Sequence, residues 1–454
     1  GELRLQDNET AEYTVEDDES GTIAQKLDHF NQSDKRTFKQ HYVYTTKYGS
    51  SGDINFLYIS TILTDHPFAN KSILSYAKEF GADLYALEHR FFGKSTPEQL
   101  RSGDFAISGT NHSNNLDLLQ HDTSRQAIED VRTFIEYIQK QKEIAGNNKK
   151  QKWIAVAGGF AGSVAVWFRA KYPQYVVGAI GKTIKPPLDT KTIEVFIRKH
   201  DTKERNCTAD VVKAYQLIRK KLSTRHGQEE LEQVFKYGNL DSKYPMRHNA
   251  FIFSITVLNP WNSALQHIDG PNSVEGMCDR LTNYTNDEQI LERLRDALQV
   301  QASASLPNSN DTTTTEEDSS ADASLWQMCN EFGNFFTPRN TSIFFTWEMR
   351  EAYFLICKYV YKRSKRVIFQ ALEDKQQLFG GTDNYQGTNV VLTFGDHDPW
   401  RELGIVNSKD PSIVTYVMKD AWRYYDLHNS NLTEVQKALD ITREEIRKWL
   451  DIQG

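Results

Sequence analysis

The chain has 454 residues, of which 39% are hydrophobic, and it carries a formal net charge of −7 at pH 7. This length supports one large domain or two ordinary domains with substantial cores. Because acidic and basic residues are spread along the sequence, neither a nucleic acid nor an anionic membrane surface is expected as a partner.

Membrane-spanning and targeting segments are not predicted. No stretch approaches the roughly 18 to 20 consecutive apolar residues that a transmembrane helix needs. The first residues, Gly1-Glu2-Leu3-Arg4, lack the charged-then-apolar pattern of a signal peptide. We therefore expect a soluble protein that has already been processed.

The first part of the chain alternates predicted strands and helices. Apolar runs rich in strand-forming residues predict strands at 53–61, 82–90 and 152–158. Helical spacing of apolar residues predicts helices at 69–81, which closes at Gly81, and at 124–141. This alternation predicts an α/β fold with a mostly parallel sheet.

The pattern changes between about residue 190 and residue 380. Long helical stretches are predicted there, at 209–222, 287–300 and 342–363. The segment 301–324 is polar, acidic and nearly free of large apolar residues, which predicts a flexible surface loop.

A strand pattern resumes at 389–395, and a helix is predicted to close the chain at 431–450. We therefore expect an α/β domain in two parts, residues 1–190 and 386–454, split by a helical cap domain of residues 191–385.

Glycosylation sequons are more frequent than chance. Random placement would give roughly four Asn-x-Ser/Thr sites, and this surplus favours a secretory-pathway protein. The nine candidate sites are Asn8, Asn31, Asn70, Asn111, Asn206, Asn283, Asn310, Asn340 and Asn431.

The four cysteines, Cys207, Cys278, Cys329 and Cys357, all fall in the predicted cap. None has the CxxC spacing of a zinc or redox site, so two disulfides are favoured over four buried thiols. Four cysteines allow three connectivities, and spacing alone does not choose between them.

The stretch Gly158-Gly159-Phe160-Ala161-Gly162 lies between a predicted strand and a predicted helix. In α/β-hydrolases a G-x-S-x-G turn at this place exposes the nucleophilic serine. Here Phe160 stands where the serine would be. The alternative interpretation is an ordinary small-residue turn between a strand and a helix.

Four segments resemble the S28 serine peptidases, the family of lysosomal Pro-Xaa carboxypeptidase and dipeptidyl-peptidase II. The family's opening around Asp-His-Phe is similar to residues 25–42, and its Glu-His-Arg-Tyr-Tyr-Gly-Lys-Ser segment is similar to residues 79–97. Its nucleophile region, Gly-Gly-Ser-Tyr-Gly-Gly followed by Ala-Trp-Phe-Arg and Lys-Tyr-Pro, resembles residues 152–180. The strand that ends in its acid, Asp-Pro-Trp, resembles residues 388–405.

The resemblance implies an α/β-hydrolase fold with a large, disulfide-linked, SKS-like helical cap. It also pairs Cys207 with Cys278 and Cys329 with Cys357, because both pairs match disulfides of the family.

The resemblance places a degenerate catalytic triad in this chain. Asp398 matches the acid, Phe160 the serine, and Arg423 the histidine, within a segment that runs from Asp420 to Leu427. A triad hydrolase needs a nucleophile, a base and an acid that orients the base. Phenylalanine has no nucleophilic atom, and arginine stays protonated at ordinary pH, so no functional catalytic residue is predicted. We expect Arg423 to form a structural ion pair with Asp398 instead.

Two further departures surround the same cleft. Ser60-Thr61-Ile62-Leu63 replaces the family's Gly-Gly-Glu-Gly turn, in the region from which hydrolases recruit an oxyanion-hole amide. Lys182-Thr183-Ile184-Lys185-Pro186 replaces its Ser-Ser-Ala-Pro segment, which puts two cations near the former active site.

No residue is predicted to replace the lost groups. Ser163 lies about one helical turn beyond the elbow, His397 is expected to be a surface or supporting histidine, and His89 is expected to be structural. HExxH and phosphate-loop motifs are absent, so neither a metal nor a cofactor is predicted.

Three functions remain open from the sequence. The first is a secreted or lysosomal-lumen glycosylated pseudo-peptidase, without a transmembrane segment, that acts as a structural, self-assembling or binding protein. The family tends to dimerise, and its inactive contortins assemble in a parasite gut lumen, so this resemblance implies a homo-oligomer, a dimer or higher. The second is an active proline-specific serine exopeptidase with an altered site, and the third is a peptide-binding receptor that uses the residual cleft.

Overall fold

A computed structural model describes most of the chain. The described residues are 17–101, 112–158, 161–181, 194, 197–198, 201, 206–236, 240, 245–264, 273–305, 323–333, 342–345, 350–381, 383–421 and 430–452. Among them, no helix combines the length and the apolar character needed to cross a bilayer.

Eight strands form one sheet in the order β1-β2-β4-β3-β5-β6-β7-β8. β1 pairs antiparallel with β2 and β2 with β4, and all other neighbouring strands run parallel. The strands are β1 (Glu19–Lys26), β2 (Thr37–Thr45), β3 (Ile54–Ser60), β4 (Asp83–Glu88), β5 (Lys152–Ala157), β6 (Gly178–Gly181), β7 (Val390–Gly395) and β8 (Ile413–Met418). The chain therefore has an α/β-hydrolase fold, as the resemblance implied.

Four helices cover the two faces of the sheet because its parallel strands are apolar on both sides. α4 (Ser124–Ile144) and α5 (Ala161–Lys171) pack with Trp153 and Ala155 of β5 on one face. α1 (Ser72–Phe80) and the C-terminal helix, Thr433–Leu450, pack with Ile154 and Val156 of the same strand on the other face. The alternation of side chains along β5 thus divides the core into two layers.

β6 brings two glycines against neighbouring helices. A Cβ atom at Gly178 would lie 2.2 Å from the ring of Trp449, and one at Gly181 would lie 2.6 Å from the carbonyl oxygen of Gly162. Only glycine allows α5 and the C-terminal helix to approach the sheet so closely at these points.

The segment between β6 and β7 is helical and has its own core. Its helices are α6 (Cys207–Leu222), α7 (Arg225–Phe235), α8 (Met246–Ala264), α9 (Val274–Arg280), α10 (Asp287–Ser305), α11 (Arg350–Tyr361) and α12 (Lys365–Phe379), with a π-helix at Met328–Phe332. α2 (Glu98–Arg101) and α3 (His112–Leu119) precede α4, and the C-terminal helix is α13. The division at residues 190 and 386 stays a prediction, although β6 and β7 are neighbours in the sheet.

Both expected disulfides are present in this helical region. Cys207 bonds to Cys278 across 71 residues, which joins α6 to α9, and Cys329 bonds to Cys357 across 28 residues, which joins the π-helix to α11. All four cysteines are fully buried.

Two predicted boundaries in this region were wrong. The helix predicted from residue 342 does not include 342–345, because the hydroxyl oxygen of Ser342 accepts a hydrogen bond from the backbone of Phe344 and forms a turn, while Phe344 and Phe345 are both buried. The loop predicted at 301–324 is helical at both ends: α10 continues to Ser305, and residues 323–327 form a helix. Alanine and glutamine at 301–304 favour that continuation. Residues 306–322 lie outside the described part of the chain.

Candidate active site

The three positions that the resemblance assigns to the family's triad follow β5, β7 and β8 in the sequence. β5 ends at Ala157 and α5 begins at Ala161, so the elbow spans only three residues, and β7 ends three residues before Asp398. Phe160 and Arg423, like Lys182 and Lys185, lie outside the described residues. Because β5, β6, β7 and β8 are consecutive and parallel, their carboxyl ends meet at the edge where such folds build their sites.

The helix that follows the elbow is enclosed by the protein. Every residue from Ala161 to Arg169 is buried, and the ring of Trp167 stacks on Phe379 and Phe332, with centroid distances of 4.2 and 6.0 Å. Ser163 is 0% exposed, and its hydroxyl has no hydrogen-bond partner in the described structure. A substrate therefore has no access to Ser163.

Asp398 caps a short 3₁₀-helix, Pro399–Leu403, at the end of β7. Its side chain is 3% exposed, and its Oδ1 atom accepts a hydrogen bond from the backbone N–H of Trp400 at 2.9 Å. Its own backbone N–H donates to the carbonyl of Gly395 at 3.1 Å. The expected pairing of Asp398 with Arg423 stays a prediction.

The loop after β3 is closed against Glu88. The backbone N–H of Leu63 donates to Oε1 of Glu88 at 3.0 Å, while Oε2 accepts the backbone N–H and the hydroxyl of Ser95 at 2.8 and 2.7 Å. Glu88 and Ser95 are fully buried. At least one backbone amide of the loop that the resemblance compares with the family's glycine-rich turn is thus bonded to a carboxylate of the protein itself.

His89 and Arg90, which follow Glu88, are also buried. Nδ1 of His89 lies 2.8 Å from the carbonyl oxygen of Arg90, and burial lowers the pKa of His89 to about 4. The guanidinium of Arg90 donates to the carbonyls of Lys26, Leu27 and His121. His89 is therefore a neutral structural residue, as the sequence predicts.

The Asp-His-Phe segment attaches the chain to α4. Asp28 accepts a hydrogen bond from the side chain of Gln126 at 2.7 Å, and Nε2 of His29 lies 2.7 Å from Asp130. The importance of Gln126 and Asp130 was missed from the sequence, although polar residues at buried helix positions are a recognisable signal.

Asp130 also accepts both arms of the Arg90 guanidinium. The Asp-His-Phe and Glu-His-Arg segments thus meet on one aspartate of α4.

The third segment, which contains Trp-Phe-Arg, acts in a similar way. Nε of Arg169 donates to the carbonyl of Thr388 at 2.8 Å, and its Nη1 donates to the carbonyls of Pro173 and Val176. This side chain ties the end of α5 to the loops that lead into β6 and β7. The three segments therefore supply hydrogen bonds that hold separate elements of the fold together.

His397 lies beside two carboxylates at the same edge of the sheet. Its Nε2 atom is 3.7 Å from Oδ1 of Asp396 and 3.9 Å from Oδ1 of Asp420. Its side chain is 22% exposed, which agrees with the predicted surface or supporting position. Asp420 was not singled out from the sequence because it follows a different strand.

The asparagines of the described sequons are all exposed. They are Asn31, Asn70, Asn206, Asn283 and Asn431, and the other four, Asn8, Asn111, Asn310 and Asn340, lie outside the described residues.

Comparisons with known proteins match nearly the whole chain. The family described as "Serine carboxypeptidase S28" matches residues 25–446. A putative serine protease of Caenorhabditis elegans is 28% identical, covering 94% of this chain and 84% of that protein. The lysosomal Pro-X carboxypeptidase of Homo sapiens is 25% identical, covering 93% of this chain and 86% of that protein.

Among solved structures, an epoxide hydrolase of Vigna radiata aligns with a TM-score of 0.38 and 13% identity, over 97% of this chain and 99% of that chain. The match over residues 25–446 leads to one conclusion: the chain belongs to the serine carboxypeptidase S28 family.

Proposed function

We propose that this protein is a pseudo-peptidase: a member of the S28 family that has lost catalysis and acts as a structural, self-assembling or binding glycoprotein. One observation carries the proposal. In the segments that resemble the family, Phe160 and Arg423 align with the family's serine and histidine.

The chemistry of the two substitutions supports this conclusion. Phenylalanine offers no lone pair that could attack a carbonyl, and a guanidinium has no acceptor site for the proton of a nucleophile. Loss of either the serine or the histidine alone lowers the turnover of a triad enzyme by about a million-fold, and the second loss adds little because the residues act together.

Two candidate replacements in the described structure are buried. Ser163 is inaccessible in α5, and His89 is buried with one nitrogen engaged by a backbone carbonyl. The amide of Leu63 is bonded to Glu88, so it is not directed at a developing oxyanion. Three separate requirements of acyl transfer are therefore unmet by these residues.

Two features support a location outside the cell or in a lysosome-like lumen. Both disulfides are of the kind that persists in oxidising compartments, and the five described sequon asparagines are exposed, as glycan attachment requires. The name of the human relative places that protein in lysosomes. We extend the same class of compartment to this chain.

Activity measurements on the purified protein test the loss of catalysis. We expect no hydrolysis of a proline-containing fluorogenic peptide and no covalent labelling by a fluorophosphonate probe. A Ser163→Ala variant serves as the control for labelling. Hydrolysis by the unmodified chain, or labelling that Ser163→Ala removes, would overturn the proposal and favour an active exopeptidase.

Light scattering and negative-stain microscopy test the structural role. We expect the mass of the particles to rise with protein concentration, as in a self-assembling homo-oligomer. A particle that stays monomeric at all concentrations and binds proline-containing peptides saturably would instead support the receptor alternative.

A further inference from the structure

A cluster of three metal-ligating side chains lies at the carboxyl ends of β7 and β8. Asp396, His397 and Asp420 each present one ligand atom, and these atoms all lie within 4.8 Å of one another. The imidazole Nε2 is the central atom, at 3.7 and 3.9 Å from the two carboxylate oxygens. Two ligands bound to one tetrahedral metal at about 2.0 to 2.2 Å are separated by a similar distance.

The backbone holds the two loops that carry these side chains at a set spacing. Beyond the last residue pair of the ladder, the N–H of Asp396 donates to the carbonyl of Met418 at 2.9 Å, and the N–H of His397 donates to the carbonyl of Ala421 at 3.0 Å. The N–H of Ala421 also donates to Oδ1 of Asp396 at 3.2 Å. The ligands are therefore positioned by strand pairing and not by one another.

Asp420 adopts a left-handed backbone conformation, with φ of 54°. A non-glycine residue in this region costs conformational energy, and aspartate is among the side chains that tolerate it best. The turn directs the chain back toward His397 immediately after β8.

Both carboxylates of the cluster lie beside His397, and Nη1 of Arg401 donates to the backbone carbonyl of Asp396 at 3.3 Å. In the part of the chain that the structure describes, neither Asp396 nor Asp420 has a lysine or arginine within salt-bridge distance. Two carboxylates so close together repel each other, and a bound cation removes that repulsion.

We propose that Asp396, His397 and Asp420 bind one divalent transition-metal ion, with Zn²⁺ as the best-matched ion. One imidazole nitrogen and two carboxylate oxygens are ligands that zinc accepts, and among first-row divalent ions this donor set favours zinc over manganese and iron. Solvent completes the coordination because the side chain of Asp420 is 76% exposed. The site uses none of the triad positions, so a test of metal binding is independent of a test of the proposed loss of catalysis.

The sequence predicts no metal site because its ligands follow no motif. Asp396 and His397 come directly after β7, but Asp420 lies two residues beyond the end of β8. Only the parallel pairing of β7 with β8 brings it to the other two.

Calorimetric titration of the chelator-treated, untagged full chain with Zn²⁺ tests the site. We expect saturable binding of one ion, which His397→Ala and Asp420→Asn each weaken by more than about 10-fold. Asp420→Asn is the more informative variant because an exposed turn residue has little effect on folding. Zn²⁺ should raise the melting temperature of the unmodified chain but not of either variant.

His226→Ala is the matched control. His226 also lies near two carboxylates, at 4.0 Å from Glu229 and 3.6 Å from Glu230, but on an exposed helix face. We expect this change to leave Zn²⁺ affinity unaltered. The proposal is overturned if no saturable binding occurs, or if His226→Ala weakens binding as much as His397→Ala does.

Discussion

Asp130 accepts a forked pair of hydrogen bonds from Arg90, at 2.6 Å from Nε and 2.7 Å from Nη2. Both side chains are essentially fully buried. Burial alone would raise the pKa of Asp130, but the charge of Arg90 and the hydrogen bonds from Arg90 and His29 outweigh it, so this pKa lies below its ordinary value. The aspartate is ionised and links the two signature segments to α4.

Asp130→Ala should destabilise the protein strongly because it leaves the Arg90 charge buried without its counter-ion. We expect the free energy of unfolding to fall by about 3 to 5 kcal/mol, measured by urea denaturation. Asp34→Ala is the control, since Asp34 pairs with the half-exposed Arg36 and should matter much less. Equal losses in the two variants would contradict this account.

Asp122 should make the free energy of unfolding fall as pH rises, which is the opposite of what most folded-state aspartates do. It is fully buried, its Oδ1 accepts a hydrogen bond from Gln327 at 2.9 Å, and burial raises its pKa well above the ordinary value. At a pH between the two pKa values, the folded state therefore keeps the proton on Asp122, whereas the unfolded state has lost it. Stability is lost as pH rises above about 3.8, the pKa of the unfolded state.

Asp122→Asn removes this titration and keeps an acceptor for Gln327. We expect the variant to gain stability relative to the unmodified chain as pH is raised from about 4 to 7, in thermal melts. Asp28→Asn should respond with the opposite sign and in a lower pH range. The ionised Asp28 contributes stability above about pH 3.8, the pKa of the unfolded state, and this contribution is lost as pH falls below that value, so this variant should lose less stability than the unmodified chain on acidification. Burial would raise the pKa of Asp28, but hydrogen bonds from Gln126 and Phe30 lower it overall. Parallel trends in both variants would count against the assignment.

Removing either disulfide should destabilise the helical region. In the chain-entropy estimate, the 71-residue loop closed by Cys207 and Cys278 contributes about 4 to 4.5 kcal/mol. The 28-residue loop closed by Cys329 and Cys357 contributes about 3.5 kcal/mol. We expect the variant that replaces both Cys207 and Cys278 with alanine to lose more free energy of unfolding, in denaturant titrations, than the variant that replaces both Cys329 and Cys357. A larger loss from the shorter loop would show that strain or packing, and not loop length, dominates.

Glu88→Gln should loosen the loop after β3. Glutamine keeps one carbonyl oxygen, so either Leu63 or Ser95 would face an amide nitrogen in place of an acceptor. We expect a loss of about 1.5 to 3 kcal/mol and faster hydrogen exchange at the Leu63 amide. Glu143→Gln, at an exposed position of α4, is the control and should change neither quantity.

Strand prediction succeeded for four apolar strands of the sheet but missed β6 and β8. β3, β4, β5 and β7 were all predicted, because a parallel strand buried on both faces is a continuous apolar run. β1 and β2 were missed because their buried positions include Gln25 and Gln40, whose amides bond to each other at 2.8 Å. These two amides find each other as hydrogen-bond partners only in the folded protein, so the sequence pattern does not show that the positions are buried.

Helices were predicted reliably from periodicity, but their ends were not. The segment from residue 342 has helical spacing, yet Phe344 and Phe345 are buried in the core of the helical region outside any helix. Tertiary burial of two adjacent aromatic rings outweighed the local preference.

The sequence by itself determined the α/β alternation, because this depends on local pattern along the chain. The assignment of the nucleophile, acid and base positions stays a prediction from the resemblance. Only the tertiary structure decided that Arg90 meets Asp130, that Glu88 closes onto Leu63, and that Asp420 reaches His397. Each of these contacts joins residues from different elements. Strand order and helix packing bring them together, and neither leaves a signal in the spacing of the residues themselves.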